Sequence, residues 1–407
     1  METTPQLTLI LLSFSCTRVS PKDIRTRRLI PSYSLHIFST FNLGGAQVRA
    51  LQLMGSWGDR FRHSIVSIVP GHLNARAHLD PALSADFPAF PDLKSGSLPK
   101  RLLSIRRRVR ELKPDLVLTY NWGAMEVVMA NRLFGMAPLV HHEDGFGPDE
   151  ASGQLPRRVW FRRLALAGAT RVVVPSRTLE RAALDVWRRP AAQVAYVPNG
   201  VAVEHYDRVA ESRALPGLDR TDGVLQVGTV AGLRPEKNLR RLVRVFAEAA
   251  RGINARLVIV GTGPEREAIL AEAGAQGIAD RVHLTGFLSD PHRYMGLFDV
   301  FALTSDTEQF PISLVEAMAA RLPAVCTDVG DIRSILPPEN QAYVKAREDE
   351  AGLVVALRRL LMDESLRRAL GGANRVKVEN AYTLDAMVRT YERIYRDAIA
   401  RQYHRLL

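Results

Sequence analysis

The chain alternates short, β-branched apolar runs with longer stretches of helical period. In the first half the runs 35–38, 64–69, 115–119, 139–142, 171–174 and 194–197 are continuous rather than alternating, which predicts strands buried on both faces. Each is followed by apolar residues spaced at i, i+3 and i+4, so the half reads as βαβ units in an α/β fold with a parallel sheet. Pro198, Asn199 and Gly200 then form a turn. A polar stretch over 206–222, with Pro216 and Gly217, breaks the period and predicts a linker. A second series follows, with strands at 224–227, 256–260, 282–284, 300–303 and 324–327. The last segment, 383–407, places Leu384, Met387, Val388, Tyr391, Ile394, Tyr395 and Ala398 on one helical face. That face needs a surface, on the second domain or back on the first. The expected division is an ill-defined extension 1–33, a Rossmann-like domain 34–205 with the closing helix 383–407, a linker 206–222 and a second Rossmann-like domain 223–382.

Length and composition fit this division: 407 residues exceed a single core, and 46% hydrophobic with 24% charged residues is ordinary for a globular protein. Cys16 and Cys326 lie far apart without ligand spacing, which excludes a disulfide framework or zinc ribbon and points to a reducing cytoplasm. Neither HExxH nor Asp-x-Asp occurs, so metal-independent chemistry is expected. The longest apolar run, 7–14, is shorter than the ~18 residues a spanning helix needs, and it lacks the basic start of a signal peptide.

Charge changes the picture. Residues 1–205 hold 27 Lys and Arg against 16 Asp and Glu, whereas 206–407 hold 28 against 27, so most of the net +12 sits in the first half. That half should meet an anionic partner. In 99–113, Leu102, Ile105, Val109 and Leu112 share a face while Arg101, Arg107, Arg108 and Arg110 lie largely elsewhere; in 155–167, two Arg pairs bracket Trp160 and Phe161. Both segments suit either a solvated face over the core or an anionic membrane surface at the inner side of the cell membrane. Nucleic acid is disfavoured, because the aromatic interleaving of single-strand platforms is missing.

In doubly wound folds, loops that follow strands converge on one ligand. After the 224–227 strand, Gly228 leads to Arg234 and Lys237, a guanidinium fork and a point charge suited to a diphosphate. After 256–260, Gly261-Thr262-Gly263-Pro264 lets a flat ring or phosphate approach the backbone. After 300–303 come Glu308, Phe310, Pro311, Ile312 and Glu316. Pro311 suits the first position of a helix whose free amides, near 309–313, would face an anion. A carboxylate accepts from two vicinal hydroxyls, so one glutamate can hold a sugar and the other a ribose. In the first domain, Gly44 and Gly45 open a helix after the first strand, and His141, His142, Glu143 and Asp144 follow the fourth.

Taken together, VGTVAGLRPEKN, VGTGPE, LTGF and TSDTEQFPISLVEAMA with its E-x7-E pair, plus GGAQ, VPSRTLE and VPNGV, resemble the retaining, GT-B-fold family 4 glycosyltransferases, from about residue 35 onward. The resemblance implies two Rossmann-like domains around a cleft, with the last helix crossing back. It implies transfer of a sugar from a nucleotide-diphosphate sugar to a glycan or lipid-linked acceptor in cell-envelope polysaccharide synthesis, with no cofactor besides that co-substrate. Arg234 and Lys237 would hold the diphosphate, Glu316 the ribose and Glu308 the transferred sugar. Gly44 and Gly45 would close the site, the base would lie near Gly263 and Phe287, and Gly228, Phe310, Pro311 and Ile312 would complete the donor pocket. The family usually presents a histidine near the end of the 139–142 strand; His142 is taken for that role, with His141 and Asp144 as alternatives. A sugar-nucleotide epimerase of the same fold and an inactive basic scaffold at the membrane remain rival readings.

Overall fold

A computed structural model describes residues 32–406 except 147, 151–152, 209, 212 and 219–222, with side chains through Arg401. The expected extension 1–33 lies outside the described residues, save its last two, which begin the first strand. Seven parallel strands form the first sheet: β1 (Ser32–Phe38), β2 (Phe61–Ser67), β3 (Ala85–Asp86), β4 (Leu116–Tyr120), β5 (Leu139–His142), β6 (Arg171–Val174) and β7 (Val194–Tyr196), in the order β3-β2-β1-β4-β5-β6-β7. Six more form the second: β8 (Leu225–Val230), β9 (Ala255–Val260), β10 (Val282–Gly286), β11 (Val300–Leu303), β12 (Ala324–Thr327) and β13 (Val344–Lys345), in the order β10-β9-β8-β11-β12-β13. The two-residue strands β3 and β13 are too short to carry a period and were not expected.

Alternation explains why these runs are apolar throughout. Val117 of β4 packs into one core while Leu116 and Leu118 pack into the other, and β11 divides likewise, with Val300 and Ala302 on one side and Phe301 and Leu303 on the other. Both sheets are therefore covered twice.

The linker expected at 206–222 is not a free connection. Val203, Leu215 and Leu218 are buried in the second domain's core with Leu314 and Phe301. The chain crosses between domains nearer Val201, whose N–H donates to Tyr382 O at 2.9 Å and whose carbonyl accepts from Leu384 N at 2.8 Å. Both crossings therefore touch at one point. The closing helix, Leu384–Leu406, packs Met387, Val388, Tyr391, Ile394, Tyr395 and Ala398 against Phe38, Trp57 and Tyr120 of the first domain. At about 1.5–3 kcal/mol for each large apolar side chain buried, this face holds the helix to the first domain more strongly than a few hydrogen bonds would.

Candidate active site

In each sheet the strand order reverses between neighbours, at β1/β4 and at β8/β11, the switch points beyond whose carboxyl ends doubly wound folds place the crevice for a ligand. The loop after β8 runs past a short turn, Pro235–Lys237, to Asn238, which takes a left-handed conformation (φ 43°) and caps the helix Leu239–Ala249. Asn238 Nδ2 donates to the Asp306 carboxylate at 3.1 Å, and Arg241 bonds both Asp306 and the Thr304 carbonyl. These contacts stitch the loop after β8 to the loop after β11. Lys237 Nζ accordingly lies 2.6 Å from Glu308 Oε1, which also accepts from Ser305 Oγ at 2.8 Å. Arg234, on the same loop, is 58% exposed and among the described residues pairs with Glu236 alone, at 3.1 Å.

Pro311 is the residue before the helix Ile312–Ala319 rather than its first residue. The amides of Ile312 and Ser313 have no acceptor among the described residues, so they remain available to an anion. Across the gap stands the start of the first-domain helix Gly45–Trp57: a side chain at Gly45 would come within 3.7 Å of Ile312 Cδ1. Gly44 precedes that helix in extended conformation. Glu316, one turn into its own helix, is half-buried without a hydrogen-bond partner among the described residues, and burial raises its carboxyl to about 7. It faces Tyr206 and Tyr294, whose phenols are pushed upward by burial and then by this carboxyl. Phe287 is exposed after β10, Phe310 is buried against Tyr382, and Ile312 is half-buried.

Two glycines serve packing. Gly228 lies inside β8, where a Cβ would fall 2.1 Å from the Phe298 ring, so it does not line the crevice as expected. Gly263 (φ 158°) lets its turn abut the loop after β8: a Cβ would meet Leu233 O at 2.4 Å, and Leu233 N donates to Thr262 O at 3.0 Å.

The expectation for His142 is corrected. Its ring is fully buried; Nδ1 donates to Thr119 O at 3.2 Å, which leaves Nε2 to accept from Tyr395 Oη at 2.8 Å. Burial and the nearby Arg49 guanidinium keep this imidazole neutral, well below its ordinary pKa. His141 is also buried, against Thr119 Oγ1 at 2.9 Å. Asp144 alone of the three is partly accessible to solvent. Its carboxylate is held by Arg49 (Nη2–Oδ2, 2.9 Å), and the next residue, Gly145, lies against Gln309 of the second domain. Arg49 is itself buried and also bonds Asn199 at 3.2 Å. Sequence reasoning passed over Arg49; its signal was a cation one turn after Gly45 on the apolar face of that helix.

The domains also clasp through Asp331. Its carboxylate accepts the N–H groups of Arg177 (2.5 Å) and Thr178 (3.0 Å) and the Thr178 hydroxyl (2.8 Å), at the start of the helix Arg177–Arg181. Among the described residues no cluster of three or more His, Cys, Asp or Glu could hold a metal ion, and no helix is long and apolar enough to cross a membrane.

Two family models match the chain: glycosyl transferases group 1 over 217–377, and the glycosyl transferase 4-like domain over 44–200. The chain is 31% identical over 170 residues to N-acetyl-alpha-D-glucosaminyl L-malate synthase of Bacillus anthracis, a match covering 42% of this chain; it spans about half the length of the first curated relatives it matches, 45% in this case. A longer match, 23% identical and covering 80% of this chain and 85% of the relative, is to UDP-Gal:alpha-D-GlcNAc-diphosphoundecaprenol alpha-1,3-galactosyltransferase of Escherichia coli. Among solved structures, HepE of Anabaena in complex with UDP superposes with a TM-score of 0.73 at 17% identity, over 89% of this chain and 98% of that one. With a glycosyl transferase model matched to each lobe, and two parallel sheets that superpose on a solved structure of that fold, the chain belongs to the glycosyl transferases of GT-B fold.

Proposed function

We propose that this protein moves a sugar from a nucleotide-diphosphate sugar to a glycan or lipid-linked acceptor, with retention at the anomeric carbon and without a metal, in cell-envelope polysaccharide synthesis. The observation that carries the reading is the Lys237–Glu308 pair beside the open amides of Ile312 and Ser313. A departing diphosphate needs positive charge already in place; Lys237, Arg234 and the helix start supply it in the position a cation would otherwise take. In the step, the bond from anomeric carbon to phosphate oxygen breaks, the acceptor oxygen bonds that carbon, and the acceptor's proton passes to the leaving phosphate. Glu308 orients the sugar, and Glu316 takes the ribose hydroxyls. Asp144, held by Arg49, takes the donor-sugar contact in place of the histidine usual in the family.

A lipid-linked acceptor brings the first domain to a membrane. Leu103, Leu133, Trp160 and Leu164 are exposed on the successive helices Leu98–Leu112, Met125–Phe134 and Pro156–Leu166, among Arg107, Arg110 and Arg157. Exposed apolar residues ringed by cations fit an anionic bilayer. Arg162 is not part of this face: it is buried among Trp122, Phe146 and Trp187 and paired with Glu150.

Turnover of uridine and guanosine diphosphate sugars, with and without acceptor lipid, tests the reading. Transfer supports it. Release of a free sugar product without acceptor would favour an epimerase, and no turnover of any donor would favour a scaffold.

A further inference from the structure

At the amino ends of β5, β6 and β7, the edge of the first sheet away from the crevice, lies a cavity of about 860 Å³. Arg132, Arg171, Arg188, Arg189 and Arg401 line it, and no Asp or Glu does. Elsewhere in this domain Arg158, Arg162 and Arg177 each pair with a carboxylate within 3.0 Å, while other arginines unpaired among the described residues, such as Arg110 and Arg157, stand singly on exposed helix faces. None of the five has a carboxylate within 4 Å among the described residues. Arg171 donates once to Thr170 O, at 3.2 Å, and Arg189 once to Trp187 O, at 3.0 Å, which leaves most of both forks unspent.

The charge does not balance locally. The helices Met125–Phe134 and Pro156–Leu166 end at this cavity, where Gly135 and Ala167 line it, and each contributes about half a negative charge. Asp397 is the carboxylate near enough to act on Arg171. About three positive charges remain unmatched. Burial lowers the pKa of Arg171 and Arg189, and Arg401 and Arg132 respectively add to it, the repulsion expected of cations gathered without an anion.

We propose that this cavity binds a phosphoryl anion, a phosphate ester or diphosphate gripped by two or more guanidinium forks. Planar forks match phosphate oxygens in pairs, and the volume leaves room for an attached group. This is not the donor site, which lies beyond the opposite ends of the strands, ~13 Å away for a four-residue strand. Two sources share the chemistry: an anionic phospholipid headgroup, since exposed Leu133 and Leu164 stand one turn from the cavity's rim, or a soluble phosphorylated molecule.

Calorimetric titration with inorganic pyrophosphate tests it in Arg132→Gln/Arg189→Gln, in Arg171→Gln/Arg401→Gln and, for the crevice, in Lys237→Ala. Each arginine double variant should lose one class of sites, or weaken it about tenfold or more, while Lys237→Ala keeps that class. Isotherms of both folded double variants that superimpose on the wild type would overturn the proposal, as would loss of all binding in Lys237→Ala. Sedimentation with phosphatidylglycerol and phosphatidylcholine vesicles separates the sources. Loss of phosphatidylglycerol binding in the double variants assigns a lipid headgroup; vesicle binding retained while pyrophosphate binding falls assigns a soluble ligand.

Discussion

Lys237 Nζ and Glu308 Oε1 stand 2.6 Å apart across the loops that follow β8 and β11, so the cation proposed to meet a diphosphate and the carboxylate proposed to meet a sugar orient each other. Lys237→Ala should lower turnover on the order of 100- to 1000-fold, as loss of one positioned charge does in other sites, and should also lower melting, because the pair is largely buried and the change leaves the Glu308 carboxylate without its cation. Arg234→Ala should fall in the same range. Steady-state kinetics checks both, and near-wild-type turnover in either removes that residue from the mechanism.

The proposed grip of Glu316 on two ribose hydroxyls is strongest when its carboxyl is ionised, and burial raises that carboxyl from 4.5 to about 7. Donor KM should therefore fall as pH rises from 6 to 8. The opposite sign applies to folding: a raised acid contributes stability that is complete below pH 4.5 and lost as pH climbs through about 7. Glu316→Gln should flatten both dependences. KM and melting profiles measured across pH 5–8 in both proteins check this; equal slopes would remove Glu316 from ribose binding.

His142 and Tyr395 join the first sheet to the closing helix. Tyr395→Phe strands Nε2 of a buried imidazole and should cost about 1–3 kcal/mol of stability while donor KM stays constant. Denaturant unfolding beside kinetics tells a positioning role from donor contact: a variant that melts normally but loses donor affinity would return His142 to the crevice.

Asp331 of the second domain holds the start of a first-domain helix. Asp331→Ala should cost about 0.5–2 kcal/mol, the range for a lost helix cap, and should raise donor KM by loosening the clasp. Calorimetry and kinetics on one preparation measure the two effects together, and unchanged values in both would make the contact incidental.

Trp160→Ser/Leu164→Ser should abolish sedimentation with anionic vesicles without altering turnover on a water-soluble acceptor. Binding by the wild type should weaken as salt is added, since each basic residue near the surface adds only ~1 kcal/mol. Equal pelleting of both proteins would place the contact elsewhere.

The strands and the convergence of the loops after β8 and β11 were legible because each rests on local signals: continuous β-branched runs, and loop residues at a strand's carboxyl end. What escaped depends on partners remote in the chain. Nothing around His142 announces that Tyr395 occupies its ring, so the choice between His142 and Asp144 could not be made from spacing. Likewise 206–222 reads as polar, yet Leu215 and Leu218 are drawn into the second core by residues nearly 100 positions later. The arginine cavity gathers residues from 131 to 401, and only folding brings them together.

The returning helix also bears on synthesis. A ribosome must deliver the chain through Tyr395 and Ala398 before Phe38 and Trp57, made some 340 residues earlier, lose contact with water. The nascent first lobe thus spends most of translation with an apolar wall uncovered, a natural target for chaperones, and a premature stop near residue 383 would leave that wall open for good.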